Sequence, residues 1–330
     1  MNHSYHQCVP CSDVLFGTVQ AARNGGSSET YPESRFEYEY DGFMNDRDVR
    51  IASQTGDWAA RQLADYDART PGAIFGEGTI LSVAEGYGLQ SAVASLRCAR
   101  GERIIGYKVG CTSPKIRSQL GIDHSVTGRL FDTEKHESGI TLSRQHFANL
   151  AIEGELGVEL AHEPTESDFR GSGIPNCVAR VFPVIELHHH VLRGESPSAG
   201  ELIAHNAING GFVEGTSVSP RGFSGDASLA IFAGDRLVEN CTGPSLIQTI
   251  RSSLKWLAQI VRKRGDSLQP GQIVLTGSIP SLIPVTDNCR FRVEAPPFGF
   301  VEATFVALTI LISWLDLWSF QDGLRRFVDC

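Results

Sequence analysis

The chain has 330 residues, with 29 Lys and Arg against 38 Asp and Glu, a net charge of −9. At about 150 residues per domain, that length suggests two domains or one large domain with extensions. The acidic balance argues against a nucleic-acid binder, which needs a basic face, and 41% hydrophobic residues rule out disorder over the whole chain.

Residues 1–50 are polar and Gly/Ser-containing, without apolar periodicity, and are expected to be a disordered extension. His3, His6, Cys8 and Cys11 are of zinc-binding type, but a lone CxxC lacks the second ligand pair of a zinc finger. Residues 51–100 turn helical: Ile51, Trp58, Leu63 and Tyr66 are spaced for one amphipathic helix, and Leu81 to Leu96 form a second with Ser82 as N-cap. Arg69-Thr-Pro-Gly is the turn between them. From residue 101 to 306 strands predominate, with Arg103-Ile-Ile-Gly-Tyr-Lys-Val-Gly as the first. Further apolar or alternating segments fall at 151–160, 178–187, 227–239, 272–276 and 290–294. One helix, Pro244 to Val261, carries Leu246, Ile250, Leu254, Leu257 and Val261 on one face. Segregated helices and strands define an α+β class.

The tail over 307–330 continues an apolar stretch that starts at Phe305 and breaks at Asp316, shorter than the roughly 20 residues of a membrane span. A membrane protein is therefore not expected. No basic segment followed by an apolar run opens the chain, and most of its eight cysteines are scattered, so a cytoplasmic location is expected.

Four segments carry potential chemistry. In Ile152-Glu-Gly-Glu-Leu, strand alternation puts Glu153 and Glu155 side by side. Such carboxylates repel unless neutralised, and oxygen-only ligation favours Mg²⁺ or Mn²⁺ over zinc; the alternative is a solvent-facing edge strand. In Val181-Phe-Pro-Val-Ile-Glu-Leu-His-His-His, Glu186 ends an apolar run and is either a third carboxylate for the same ion or a strand end entering solvent. His188 and His190 share its face, but three adjacent histidines cannot all point at one ion, so they are read as outer or surface groups. Lys108 stands inside an apolar strand between glycines, where a lysine is costly unless paired or functional; it is an acid/base candidate or an edge-strand guard. Thr276-Gly277-Ser278 ends a buried strand with small residues that suit close approach of a ligand carboxylate, or form a simple turn.

In this order the segments resemble the 2-keto-4-pentenoate hydratase and 4-oxalocrotonate decarboxylase family of the fumarylacetoacetate hydrolase superfamily. The resemblance starts at Ser82-Val-Ala-Glu-Gly-Tyr-Gly-Leu-Gln and continues through Gly106-Tyr-Lys-Val-Gly-Cys-Thr-Ser-Pro-Lys, Gly128-Arg-Leu-Phe, Ile152-Glu-Gly-Glu-Leu and Pro183-Val-Ile-Glu. It ends with Gln272-Ile-Val-Leu-Thr-Gly and Phe298-Gly-Phe-Val-Glu-Ala-Thr-Phe. It covers residues 55–306 and implies one catalytic domain over 51–306, a mixed β-sheet roll with an N-terminal helical segment. It also implies Mg²⁺ or Mn²⁺ on Glu153, Glu155 and Glu186, with Lys108 as acid/base group. The implied reaction is hydration of a small 2-hydroxy-dienoate or 2-oxo-enoate, as in aromatic catabolism, through an enolate that the metal stabilises. Lys108 and the Thr276-Gly277-Ser278 turn would bind the anionic substrate, with His205 a further substrate-binding residue, and a homo-oligomer is expected. The chain departs from the family pattern at His188-His189-His190, where a Ser-Arg pair is usual, and at His205-Asn-Ala-Ile, where Asp-Asn-Ala-Ser is usual. It departs again at Ser125-Val126-Thr127, where Pro-Asp is usual. The alternatives are a 2-oxo-enedioate decarboxylase, an acylpyruvate-type hydrolase with His205 activating water, and a non-catalytic member.

Overall fold

The computed structural model describes residues 46–307, apart from 193–196, 221, 222 and 224. The expectations for the N-terminal extension, its His/Cys group and the C-terminal tail fall outside the described residues, save that the first helix is already under way at Asp46. Three helices come first: α1 (Asp46–Ala68), the short α2 (Ala73–Gly76) and α3 (Val83–Ala99). Then follow β1 (Ile104–Gly110), α4 (Pro114–Leu120), β2 (Val126–Phe131), β3 (Lys135–Glu137), β4 (Ile140–Ser143), β5 (Ala151–Leu160) and β6 (Val178–His188). The chain continues with α5 (Ala199–Ala204), β7 (Asn209–Glu214), β8 (Ala227–Ala233), β9 (Arg236–Gly243) and α6 (Ser245–Lys263). It closes with β10 (Ile273–Leu275), β11 (Ile283–Pro284), β12 (Cys289–Glu294) and β13 (Phe300–Val306).

Local signals explain the helices. Ser82 caps α3 in a reciprocal box: its Oγ accepts from Glu85 N–H at 3.3 Å, and Glu85 Oε2 accepts from Ser82 N–H at 2.6 Å. On α6, Leu246, Ile250, Leu254, Leu257 and Val261 are all buried, a stripe at helical spacing. The expected single segment at 227–239 is instead a hairpin of β8 and β9, because Gly234, at a φ of 59°, turns the chain between them.

The strands form two sheets. The larger runs β2-β1-β10-β5-β6-β7-β3, with β11 also on β5; the smaller runs β4-β13-β12-β8-β9. Alternation divides each strand of the larger sheet between two environments. Ile152, Leu156 and Val158 of β5 and Val181, Ile185 and Leu187 of β6 enter the main core, which the smaller sheet and α6 complete. Phe182 and Val184 of β6 join Leu130, Phe212, Ile273 and Leu275 on the opposite face. Glu153, Glu155 and Glu186 belong by alternation to that second face.

The first helices and α5 cover this side. Gln90 of α3 donates to Thr127 O and to Ile203 O, both at 2.9 Å, tying β2 to α5. The two helices meet backbone to backbone, since a Cβ on Gly86 would lie 2.5 Å from Gly200 O. After α5 the chain makes a left-handed turn, with Asn206, Ala207 and Ile208 at φ of 55°, 51° and 55°. Asn206 fastens it to β2, its Oδ1 accepting from Arg129 N–H at 2.7 Å and its Nδ2 donating to Arg129 O at 2.8 Å.

Candidate active site

The site is assembled by strand register. Glu153 on β5 pairs directly with Glu186 on β6, while Glu155 pairs with Val184 and so lies diagonal to Glu186. Lys108 comes from β1, three positions from β6 in the sheet order. In a flat sheet those strands would stand about 14 Å apart, at the usual spacing of about 4.8 Å. Yet Lys108 Nζ donates to Glu186 Oε1 at 2.5 Å, so the sheet curls around the carboxylates. Gly128 on β2 makes room for the lysine stem, as a Cβ there would lie 3.0 Å from Lys108 Cγ and 2.5 Å from Asn206 O.

These groups are almost wholly withdrawn from solvent: Lys108 is 3%, Glu155 1% and Glu186 2% exposed. Burial works to lower the Lys108 pKa, but Glu186, Glu153 and Glu155 outweigh it and the net direction is up. Burial pushes Glu186 up, but the Lys108 ammonium and then His188 hold it below its ordinary value. Glu155 has no such counter-charge: burial, followed by the nearby Glu186 and Glu153, raises it well above the carboxylate range. The site thus pairs Lys108 with Glu186, while the surroundings of Glu155 favour its protonated form.

The turn after β10 serves this cluster. Gly277 N–H donates to Glu155 Oε2. The Thr276 hydroxyl donates to Leu156 O at 2.7 Å, and the Ser278 hydroxyl donates to Pro280 O at 2.8 Å and Gly154 O at 3.2 Å. The segment expected to receive a substrate carboxylate therefore positions a carboxylate of the protein and fastens the turn to β5.

The histidines separate into different roles. His188, the last residue of β6, turns inward with Glu186, and its Nε2 lies 3.2 Å from Glu153 Oε2 and 3.8 Å from Glu186 Oε1. The two-residue step from Glu186 had placed His188 on this face, and its burial makes it an inner neighbour of the carboxylates rather than a surface group. His189 leaves the strand and packs on Tyr66, ring centroids 4.4 Å apart, where burial lowers its pKa to about 4. The His190 pKa is also lowered, chiefly by burial. His205 stacks near Phe75 at 5.2 Å and faces Gly72, on the helical side of the molecule. Burial drives its pKa down to about 3, so it is a neutral packing group rather than a charged one.

The donor set fits a divalent cation. Donor atoms of Glu153, Glu186 and His188 all lie within 4.8 Å of one another. Beside them, Glu155 Oε1 is buried and receives no donor from the described residues. Hard oxygen donors gathered in a dry place are what Mg²⁺ or Mn²⁺ prefers.

The two-sheet fold is similar to that of solved structures from the fumarylacetoacetate hydrolase superfamily. The structure of 4-oxalocrotonate decarboxylase from Pseudomonas putida G7, complexed with magnesium and adipate, matches with a TM-score of 0.70 at 21% identity. That match covers 77% of this chain and 98% of the decarboxylase. No family model matches the chain. In sequence it is 26% identical to a 2-keto-4-pentenoate hydratase of Paraburkholderia xenovorans (strain LB400) over 229 residues, 68% of this chain and 84% of the hydratase. It is 24% identical to a 4-oxalocrotonate decarboxylase of Pseudomonas sp over 219 residues, 66% of this chain and 85% of that protein. The chain is thus similar in sequence to 2-keto-4-pentenoate hydratases and to a 4-oxalocrotonate decarboxylase, the resemblance its motifs led us to expect. Among the described residues no helix is long and apolar enough to cross a membrane.

Proposed function

We propose that the protein is a metal-dependent hydratase that adds water to a small 2-hydroxy-dienoate or 2-oxo-enoate. The observation that carries the reading is the buried meeting of Lys108 with Glu153, Glu155 and Glu186, three carboxylates from two neighbouring strands. The hydratase names of the most similar relatives support hydration as the reaction. Glu153, Glu155 and Glu186 would hold Mg²⁺ or Mn²⁺, and the neighbour's magnesium supports a divalent ion. When bound, such an ion neutralises the carboxylates and polarises the oxygens of a 2-oxo acid as a Lewis acid.

Lys108 has the remaining task. Its raised pKa keeps the ammonium protonated at neutral pH, so Nζ holds a proton ready for the carbon skeleton as the dienol becomes a ketone. Lys108 would recover its proton from the water that adds, and the proton released from the enol oxygen would balance the one that C3 gains. Its charge also attracts the substrate carboxylate. Gly277 keeps Glu155 aimed, and burial of the cluster excludes stray water. A cytoplasmic homo-oligomer belongs to the same reading; the free thiols of Cys98, Cys111, Cys177, Cys241 and Cys289 fit a reducing compartment.

The test is a screen with Mg²⁺ or Mn²⁺ in which a monocarboxylic dienol and a 2-oxo-enedioate are followed by ultraviolet absorbance and product analysis. A 4-hydroxy-2-oxo acid from the dienol is the expected product. CO₂ from the diacid, with no hydration of the dienol, would transfer the assignment to a decarboxylase using the same residues. No turnover of either compound with either ion would remove the hydratase reading.

A further inference from the structure

We propose that His188 is a direct nitrogen ligand of the cation at this site and tilts its preference from Mg²⁺ toward Mn²⁺ and other first-row transition ions. The proposal rests on the reading of Glu153 and Glu186 as cation ligands and adds a donor of different chemistry.

Backbone placement comes first. His188 lies two residues beyond Glu186 on β6, so the pleat sends both side chains to the same face. It pairs with Ala151, two residues before Glu153, which puts the imidazole beside the Glu153–Glu186 pair. The ring is buried, with a side chain 4% exposed. Its Nε2 faces two carboxylate oxygens at once, at 3.2 and 3.8 Å. One N–H satisfies one acceptor, whereas a nitrogen between two carboxylates is placed as the donors around a shared ion are.

The other ring nitrogen does not give His188 a separate structural task. His188 Nδ1 is buried and has no partner among the described residues. Its neighbour shows what a structural histidine looks like in this fold. His189 Nδ1 accepts from Ala148 N–H at 3.2 Å, and Nε2 contacts Tyr66 O at 3.0 Å. Both of its nitrogens are engaged by backbone.

The consequence is selectivity. Carboxylate and water suit Mg²⁺, whereas imidazole suits transition ions, whose affinity for a nitrogen-containing site rises along the first row. Adding imidazole to carboxylates therefore gains more for Mn²⁺, Fe²⁺ or Co²⁺ than for Mg²⁺.

The experiment uses the full chain, stripped with chelator and loaded with Mn²⁺ as both ligand and probe. Electron spin-echo envelope modulation reports nitrogen bound to Mn²⁺, and growth on ¹⁵N-histidine identifies the nitrogen as imidazole. We expect ¹⁴N modulation that converts to the ¹⁵N pattern on labelling and disappears in His188→Gln. We also expect calorimetry to show the Mn²⁺/Mg²⁺ affinity ratio falling at least about 10-fold in that variant. Gln can still donate to Glu153, so loss of a mere hydrogen bond would leave the ratio unchanged. Bound Mn²⁺ with no histidine nitrogen coupling overturns the proposal while the cation site stands. No Mn²⁺ binding overturns both the site and the proposal. If His188→Gln does not fold, the labelled wild-type spectrum decides, because His188 is the histidine in the donor cluster among the described residues.

Discussion

Replacing Lys108 with Met keeps the aliphatic stem and removes the ammonium that neutralises Glu186. The pair is buried on both sides, with side chains 4% and 3% exposed and 2.5 Å between Nζ and Oε1. Removing one partner of such a pair costs about 3–5 kcal/mol, since the other charge stays buried without compensation. For a domain of this size that corresponds to a melting temperature roughly 10 °C lower. The effect depends on pH in a set direction. In the wild type, Glu186 has a lowered pKa, so its stabilising contribution is present above its unfolded value and is lost as pH falls. In Lys108→Met the ammonium is gone, and burial pushes Glu186 the other way. Its cost is then greatest at high pH and is relieved as the carboxyl takes up a proton. Urea unfolding in chelator should therefore show the largest gap between the two proteins near pH 8 and a smaller gap near pH 5. Mn²⁺ added back should stabilise the variant more than the wild type, because the ammonium no longer competes. Turnover should drop at least about 100-fold, the low end for losing general acid–base catalysis. Equal stability at pH 8 without metal would show that Lys108 is not the counter-ion of this cluster.

Glu155→Gln should flatten the loss of stability that the chelated wild type shows as pH rises above about 4.5, since the raised Glu155 carboxyl keeps its proton only when folded. The same change should weaken Mn²⁺ binding at least about 10-fold by calorimetry; unchanged affinity would remove Glu155 from the ligand set. His205 is held to about 3, so the unfolded chain takes up a proton below pH ~6.5 that the folded chain refuses. Stability should therefore fall by up to about 1.4 kcal/mol per unit as pH drops through that window. His205→Gln should lack this component in thermal melts from pH 4 to 7, and a parallel loss in both proteins would contradict the placement. On α3, Gly88→Ala meets nothing within 4 Å and should gain about 0.5–1 kcal/mol from helix propensity. Gly86→Ala should lose about 1–2 kcal/mol against Gly200, and a stabilised Gly86→Ala in urea titration would refute the close contact.

Periodicity disclosed the acidic strand before its partner. The alternation of Ile152, Gly154 and Leu156 with Glu153 and Glu155 outlined β5 over its observed length. Lys108 stood out because an apolar strand does not carry an ammonium without a reason. The register that sets Glu153 against Glu186 had no local signal, since it depends on how two strands meet across an intervening loop. The Thr276–Ser278 turn drew attention through its small hydroxyl residues, but which oxygen its Gly277 N–H would reach was set by the fold. His205 was read from its chemistry, and packing against Phe75 and Gly72 decided its state. The left-handed turn at Asn206–Ile208 was illegible because Ala207 and Ile208 are not residues that announce a positive φ. Its hold on Arg129 through Asn206 is tertiary.

The glycine seam between α3 and α5 removes a degree of freedom from the molecule. Gly86 and Gly200 touch through backbone atoms, and the turn that follows α5 lies against Gly128, beside the Lys108 stem. Anything that wedges the two helices apart would be transmitted along this short rigid path and would change where the ammonium points. A protein engineer seeking a roomier cleft therefore cannot enlarge it by spacing the helices. The productive changes would be side-chain replacements that leave residues 86, 128 and 200 without a Cβ, so that the lysine keeps its aim while the volume around it is altered.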